Sequence, residues 1–522
     1  MYSSIAKQAM EEVWGRTPNR FQKEIIPTIL QMLTKDLSPQ ALLLVQPTGS
    51  GKSAVPQTSS VVTNGVSIII EPTLALSSDQ SSKFDTASNK HGGLVYSYQL
   101  DLYKNDNDRK DVANNILSVL RQKQQQDIQL GIVSFVLFAS PEALILPIWM
   151  EFVDDLIKVD MLNLICVDEV HLFIEFGLSF RKDFLSLREK LFNKIIANNT
   201  SSNDISLNQT ILKIPFLCMT ATCNLQLLNL LQKMTNITFN HRHLFWSNQS
   251  EFQKRHISIS IKYTNQFKRY TKEYLKQYLR HNITWKAIIC GNVANKLQAL
   301  QDDVRMWMTS PTEGFAGTTV LVVGSEDAIR KQLYTIAFTK KSSKEEIEDT
   351  SKFTPRVLLG TSGCIGTGLD SDDVHLMVRL GLPTSILHLI QEMGRCGRNL
   401  STIDPLDTLR NCYYVMYTLH DYVYLTERLY INDIQSPNEE DNISSEDDSP
   451  AADIGDVCIV ISKDEERGMY RQNLDKCLSL FCLYNGCWHT ILEKECGNPF
   501  STTQSMPNGR IDNCRCHLNK CI

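Results

Sequence analysis

Val45-Gln46-Pro47-Thr48-Gly49-Ser50-Gly51-Lys52-Ser53 contains the end of the apolar run Ala41–Val45 and the polar turn that follows it. A buried strand, a glycine-bearing turn and a helix N-terminus, in that order, make the phosphate cradle called a P-loop. Gly49 and Gly51 let the backbone N–H groups of the loop, from Thr48 to Ser50 and beyond, converge on phosphate oxygens with no Cβ in the way. Lys52 brings a point charge to the β- and γ-phosphates, and Ser53 offers a hydroxyl to Mg²⁺. The first motif position, usually a small residue, is Gln46. Such a loop sits on the edge of a parallel sheet, so the fold class it indicates is α/β.

Short runs rich in Val, Ile and Leu recur outward from the loop, at 66–71, 131–138, 162–167 and 215–219. A second set lies at 256–263, 286–290, 319–323, 356–360, 374–380 and 412–417. Continuous apolar runs between longer amphipathic stretches read as strands buried on both faces and joined by helical crossovers. We therefore expect two tandem parallel-sheet lobes with a boundary near 235–250. The polar segments 198–209 and 341–354 read as surface loops.

The run at 162–167 ends in Asp168-Glu169-Val170-His171. Carboxyl ends of parallel strands face the ligand crevice. Asp168 can hold the Mg²⁺ shell, while Glu169, pointing differently, can orient and deprotonate a water. In the second lobe, Gln391-Glu392-Met393-Gly394-Arg395-Cys396-Gly397-Arg398 places two arginines three apart, on one helical face. Presented across a cleft, Arg395 and Arg398 can reach a γ-phosphate as arginine fingers.

Composition narrows the class. The chain has 522 residues, 42% hydrophobic and 21% charged, which excludes a fibrous or wholly disordered protein. Its net charge of -5 excludes a polycation, but residues 435–456 hold eight acidic side chains and no Lys or Arg. The body outside them is mildly basic, which suits a nucleic-acid patch. No apolar run approaches a membrane span, and the N-terminus carries no signal-like core. An intracellular, reducing compartment is expected. Of fifteen cysteines, seven fall in the last 46 residues, a density that favours a metal site in such a compartment.

At this point the residues resemble the RecQ-type DNA helicases, within the two-lobed DExH group. Glu71-Pro72-Thr73 through Asp79-Gln80 is similar to that family's "SPLxSLMxDQ" element, and Ser140-Pro141-Glu142 to its "SPE". Met219-Thr220-Ala221-Thr222 resembles "LTATA", Gly366-Thr367-Gly368-Leu369-Asp370 resembles "GMGID", and 391–398 resembles "QExGRAGR". The stretch 171–184, HLFIEFGLSFRKDF, is similar to the aromatic-rich loop that senses single strands in the family. The resemblance implies two RecA-like lobes, at 1–240 (ATP-binding) and 241–432, then an acidic linker at 433–456. A cysteine-rich zinc-binding subdomain at 457–522 would follow.

The resemblance also assigns roles. Catalysis would rest on Lys52, Asp168, Glu169, His171, Arg395 and Arg398. Gln22, Gly368, Asp370 and Gln391 would join the P-loop around ATP. Thr73, Ser140, Phe176, Phe180, Arg181, Phe184 and Thr361 would contact the strand, the aromatic faces by base stacking. Gln22 would read adenine, but the arginine that the family carries three residues earlier is Asn19 here, and Arg16 or Arg20 would have to replace it. Cys487, Cys514, Cys516 and Cys521 would hold structural zinc, with Cys496 or His517 as substitutes for one ligand. The family's winged helix and terminal helical domain have no counterpart in the sequence, and its "HAGL" element is not recognisable around 324–331. The implied activity is a 3′→5′ DNA helicase acting on single-stranded and tailed duplex DNA in repair and recombination, nuclear in a eukaryote. The rival readings are a translocase without unwinding, a non-catalytic nucleic-acid binder, and a motor on RNA.

Overall fold

The computed structural model describes residues 1–72, 74–88, 94–125, 132–171, 186–196, 210–247, 257–310, 317–322, 328–348, 352–361, 365, 371, 373–397, 411–431, 463–483, 491 and 495. Among them, two all-parallel sheets carry the two lobes. The first contains β1 (Ala41–Val45), β2 (Gly65–Ile70), β3 (Leu94–Gln99), β4 (Val133–Ala139), β5 (Leu162–Val167), β6 (Phe216–Thr220) and β7 (Leu244–Trp246). Their spatial order is β3-β4-β2-β5-β6-β1-β7. The second contains β8 (Ile257–Tyr263), β9 (Lys286–Gly291), β10 (Thr318–Val322), β11 (Pro355–Thr361), β12 (Val374–Leu380) and β13 (Asn411–Tyr417), in the order β10-β11-β9-β12-β13-β8.

The central strands are buried along nearly their whole length, which is why they read as unbroken apolar runs. Two strands escaped that reading. β3 is an edge strand that pairs only with β4, and Tyr96 on it is 41% exposed, so its sequence alternates instead. β7 has three residues and hydrogen-bonds alongside β1. It carries the first sheet to Trp246, past the expected lobe limit at 240 and inside the broader window of 235–250.

Helices cover the sheets. α1 (Tyr2–Trp14), α2 (Arg20–Leu33) and α3 (Ala54–Ser60) pack their apolar sides on one face of the first sheet, where Met10, Ile25, Ile29 and Val55 meet Leu42, Leu44 and Leu217. α1 stops at Gly15, whose φ of 65° is left-handed and closes the helix C-terminus. α2 starts with a capping box formed by Asn19 and Gln22. In the second lobe, buried cations hold helix C-termini to the sheet. Lys286 donates to the carbonyls of Phe338 and Lys340 at 2.5 and 2.7 Å. Arg356 donates to Leu279 and Asn282 at 2.8 and 2.9 Å. Positive charge belongs at that end of a helix. Burial nevertheless lowers the pKa of Lys286 to about 8. Among the described residues no helix is long and apolar enough to cross a membrane.

All strands of a parallel sheet end on the same edge. β6 lies between β5 and β1, so Asp168 after β5, Thr220 at the end of β6 and the loop after β1 come together there.

Candidate nucleotide and strand site

The loop between β1 and α3 has the backbone of a phosphate cradle. Gly49 and Gly51 adopt φ of 79° and 90°, a region that other residues enter only with strain. A Cβ on Gly51 would stand 3.0 Å from the Gln22 amide nitrogen. Lys52 is buried and donates to the carbonyls of Gln46 and Pro47 at 3.0 and 3.2 Å, which folds its ammonium over the loop.

Behind the loop, Asp168 accepts from the Glu169 backbone N–H at 2.8 Å, with Ser53 and Lys52 close enough to act on its charge. Burial and the neighbouring Glu169 push the Asp168 carboxyl up to about 7, against the pull of Lys52. A hydroxyl and a carboxylate are hard oxygen donors, the pair that suits Mg²⁺ with phosphate and water filling its other positions. Ser53 and Asp168 are thus the residues that would hold the ion. When bound, Mg²⁺ supplies charge that polarises and neutralises phosphate oxygens.

Glu169 has a φ of 45°, unusual for a residue with a Cβ, and this turn aims its carboxylate away from that of Asp168. Its Oε2 lies 3.4 Å from Nδ1 of the buried His171. The same nitrogen lies 3.0 Å from the Thr220 hydroxyl. That hydroxyl gives its only proton to the Thr222 carbonyl at 2.9 Å, so Nδ1 carries the proton and donates. From the second lobe, the Gln391 amide reaches the Thr222 hydroxyl at 3.4 Å. The Thr48 hydroxyl donates to the Gly394 carbonyl at 3.2 Å. The P-loop therefore touches the turn that carries Arg395.

That turn follows the helix Ile386–Met393, capped by Ser385. Gln391, Glu392 and Arg395 are all buried. Glu392 is paired with Arg379 and accepts from the Tyr413 hydroxyl at 2.6 Å, so the helix is pinned to β12 and β13 by charge and hydrogen bond. Arg395 is placed beside the cleft by its neighbour's contact to Thr48, whereas Arg398 lies outside the described residues.

The adenine-side element is partly rewired. Gln22 is buried; its Oε1 accepts from Asn19 N–H at 2.9 Å and its Nε2 donates to the Gly51 carbonyl at 2.9 Å. Asn19 braces the loop by donating its side-chain amide to the Ser50 carbonyl at 3.0 Å. Of the two substitutes, Arg16 has its guanidinium 3.6 Å from a Cβ built on Gly51. Arg20 turns to Glu24 instead, with 76% of its side chain exposed.

Of the expected strand contacts, Ser140 and Thr361 are among the described residues. The Ser140 hydroxyl is buried, donating to the Asp101 carboxylate at 2.5 Å and capping the short helix Pro141–Leu144 through Ala143 N–H. It helps to hold that turn. Thr361 stands half-buried at the end of β11. Thr73, Phe176, Phe180, Arg181, Phe184, Gly368 and Asp370 lie outside the described residues, as do the acidic linker and Cys487, Cys514, Cys516 and Cys521. Among the described residues no cluster of three His, Cys, Asp or Glu side chains is placed to hold a metal, so nothing in the structure supports the expected zinc.

Two parts of the site were not singled out from sequence. Thr220 and Thr222 link His171 to Gln391, and Gln80 donates to the Ser53 hydroxyl at 3.0 Å. Their resemblance motifs were visible; their partners lie far away in the chain.

Two family descriptions match these two lobes: "DEAD/DEAH box helicase" over residues 19–230 and "Helicase conserved C-terminal domain" over 271–400. Among curated relatives, "ATP-dependent DNA helicase Q-like 5" of Arabidopsis thaliana is 24% identical over 71% of this chain and 34% of its own length. "Probable ATP-dependent DNA helicase RecS" of Bacillus subtilis is 22% identical over 75% of this chain and 64% of its own. The chain belongs to the DEAD/DEAH-box helicases, and low-identity relatives among the RecQ enzymes support the RecQ type within them. It spans less than two thirds of the length of these relatives. Its fold is also that of the helicase MrfA, solved with DNA and AMPPNP, at 15% identity and a TM-score of 0.52 over 82% of this chain and 52% of that one. The helicase assignment accounts for the P-loop, the Asp168-Glu169 pair and the Arg395 turn meeting at one cleft.

Proposed function

We propose that the chain is an ATP-driven motor that moves 3′→5′ along single-stranded DNA and opens duplex ahead of it, in DNA repair and recombination. The observation that carries the reading is the meeting of both lobes at the P-loop, through Thr48 with Gly394 and Thr222 with Gln391. A nucleotide held there touches both lobes, so its hydrolysis changes the force between them. Lys52 leaves its two carbonyls for the phosphates. Glu169 takes the proton of the attacking water, and the His171–Thr220–Thr222 chain carries the state of that carboxylate to Gln391. Arg395 stabilises charge on the γ-phosphate. The DNA substrate is supported by the resemblance and by the relatives' names, the polarity by the resemblance alone. An intracellular location, nuclear in a eukaryote, goes with that substrate.

Lys52→Ala is expected to lower single-strand-stimulated phosphate release by at least ~100-fold, the scale for losing a preorganised charge at the reacting group. Phosphate release that still rises with added single strand in this variant would refute the assignment of the loop.

The resemblance further supports a structural zinc on Cys487, Cys514, Cys516 and Cys521. Such a site adds folding free energy outright. Purified protein should contain one equivalent of zinc, and Cys487→Ser should lose it and melt at a lower temperature. Metal-free wild type with an unchanged melting curve would overturn this part.

A further inference from the structure

Ser53 lies at the entrance to α3, but its hydroxyl is oriented from another helix. In α4 (Leu74–Ser88), the Gln80 amide nitrogen donates to Ser53 Oγ at 3.0 Å. The Gln80 oxygen is itself fixed, accepting from the buried Gln57 amide at 3.1 Å. Gln57 belongs to α3, so the two amides tie α3 and α4 together at this hydroxyl. A hydroxyl has one proton and two lone pairs. Gln80 fills one lone pair, so a single lone pair is left to face a cation.

We propose that Gln80 is a positioning residue that presets the Ser53 hydroxyl for Mg²⁺. The proposal rests on the nucleotide-site reading above. It follows from the hydroxyl's fixed orientation: an oriented ligand loses less freedom when the ion arrives, and partners of metal ligands typically set 10–100-fold in affinity.

The test is a titration of Mg²⁺ into protein with a fluorescent, non-hydrolysable ATP analogue. No turnover is read. Wild type should bind the analogue more tightly with Mg²⁺. Gln80→Ala should weaken apparent Mg²⁺ affinity about tenfold and leave metal-free analogue binding unchanged. Gln57→Leu, which frees the Gln80 amide without touching Ser53, should fall between. Equal Mg²⁺ affinity in wild type and Gln80→Ala would overturn the proposal and leave the nucleotide site standing. Wild type that does not bind the analogue at all would overturn the site reading itself, and this proposal with it.

Discussion

Glu169→Gln should cut strand-stimulated ATP hydrolysis by about 10²–10⁴-fold while nucleotide binding stays near wild type, the range for removing a positioned base. The geometry makes this separation sharp. Asp168 lies beside Ser53 and Lys52 of the P-loop, whereas the strained Glu169 backbone sends the second carboxylate toward His171 instead. Glutamine keeps the size and the hydrogen-bonding oxygen but cannot take a proton from water. Equilibrium binding of a fluorescent nucleotide, read beside phosphate release, checks both halves. Near-normal turnover in Glu169→Gln would remove this residue from the chemistry.

The second large effect is expected at Gly394, which has an ordinary helical φ and so is not required for backbone freedom. It is required for closeness: a Cβ there would lie 2.3 Å from the Thr48 hydroxyl, far inside contact distance. Gly394→Ala must therefore push the Arg395 turn off the P-loop. A displacement of about 1 Å at a reacting group costs on the order of 100-fold in rate. Turnover should fall accordingly with the melting temperature little changed, because each lobe keeps its own sheet. Adding Thr48→Ala removes the atom that clashes and should restore a substantial part of the rate. Failure of the double variant to recover, with Gly394→Ala alone inactive, would place the defect somewhere other than this interlobe contact.

Much of this arrangement is legible in the chain itself. Buried parallel strands write themselves as apolar runs, so the interior strands of both sheets stand at the expected positions. The glycines at 49 and 51 announce the loop because no other residue tolerates those dihedrals cheaply. What sequence does not show is partnership over long separations. Gln80 meets Ser53 from 27 residues away, and Gln391 meets Thr222 from 169. Nor does a motif reveal which hydrogen bond its residue makes: Ser140 matches an element associated with strand contact, yet its hydroxyl serves Asp101 and a helix cap. At Asn19 the departure from the family pattern is visible, and only the fold shows that Asn19 braces Ser50 while Arg16, not Arg20, reaches Gly51. Edge strands lose their signature for a physical reason as well, since β3 needs to be apolar on only part of its surface.

The most direct test of the motor is strand displacement on matched duplexes bearing a 3′ or a 5′ single-stranded DNA tail, with Glu169→Gln as the blank. The account predicts ATP-dependent displacement of the 3′-tailed duplex alone, lost in the blank. Displacement of only the 5′-tailed duplex, of neither, or of either one by Glu169→Gln would contradict it.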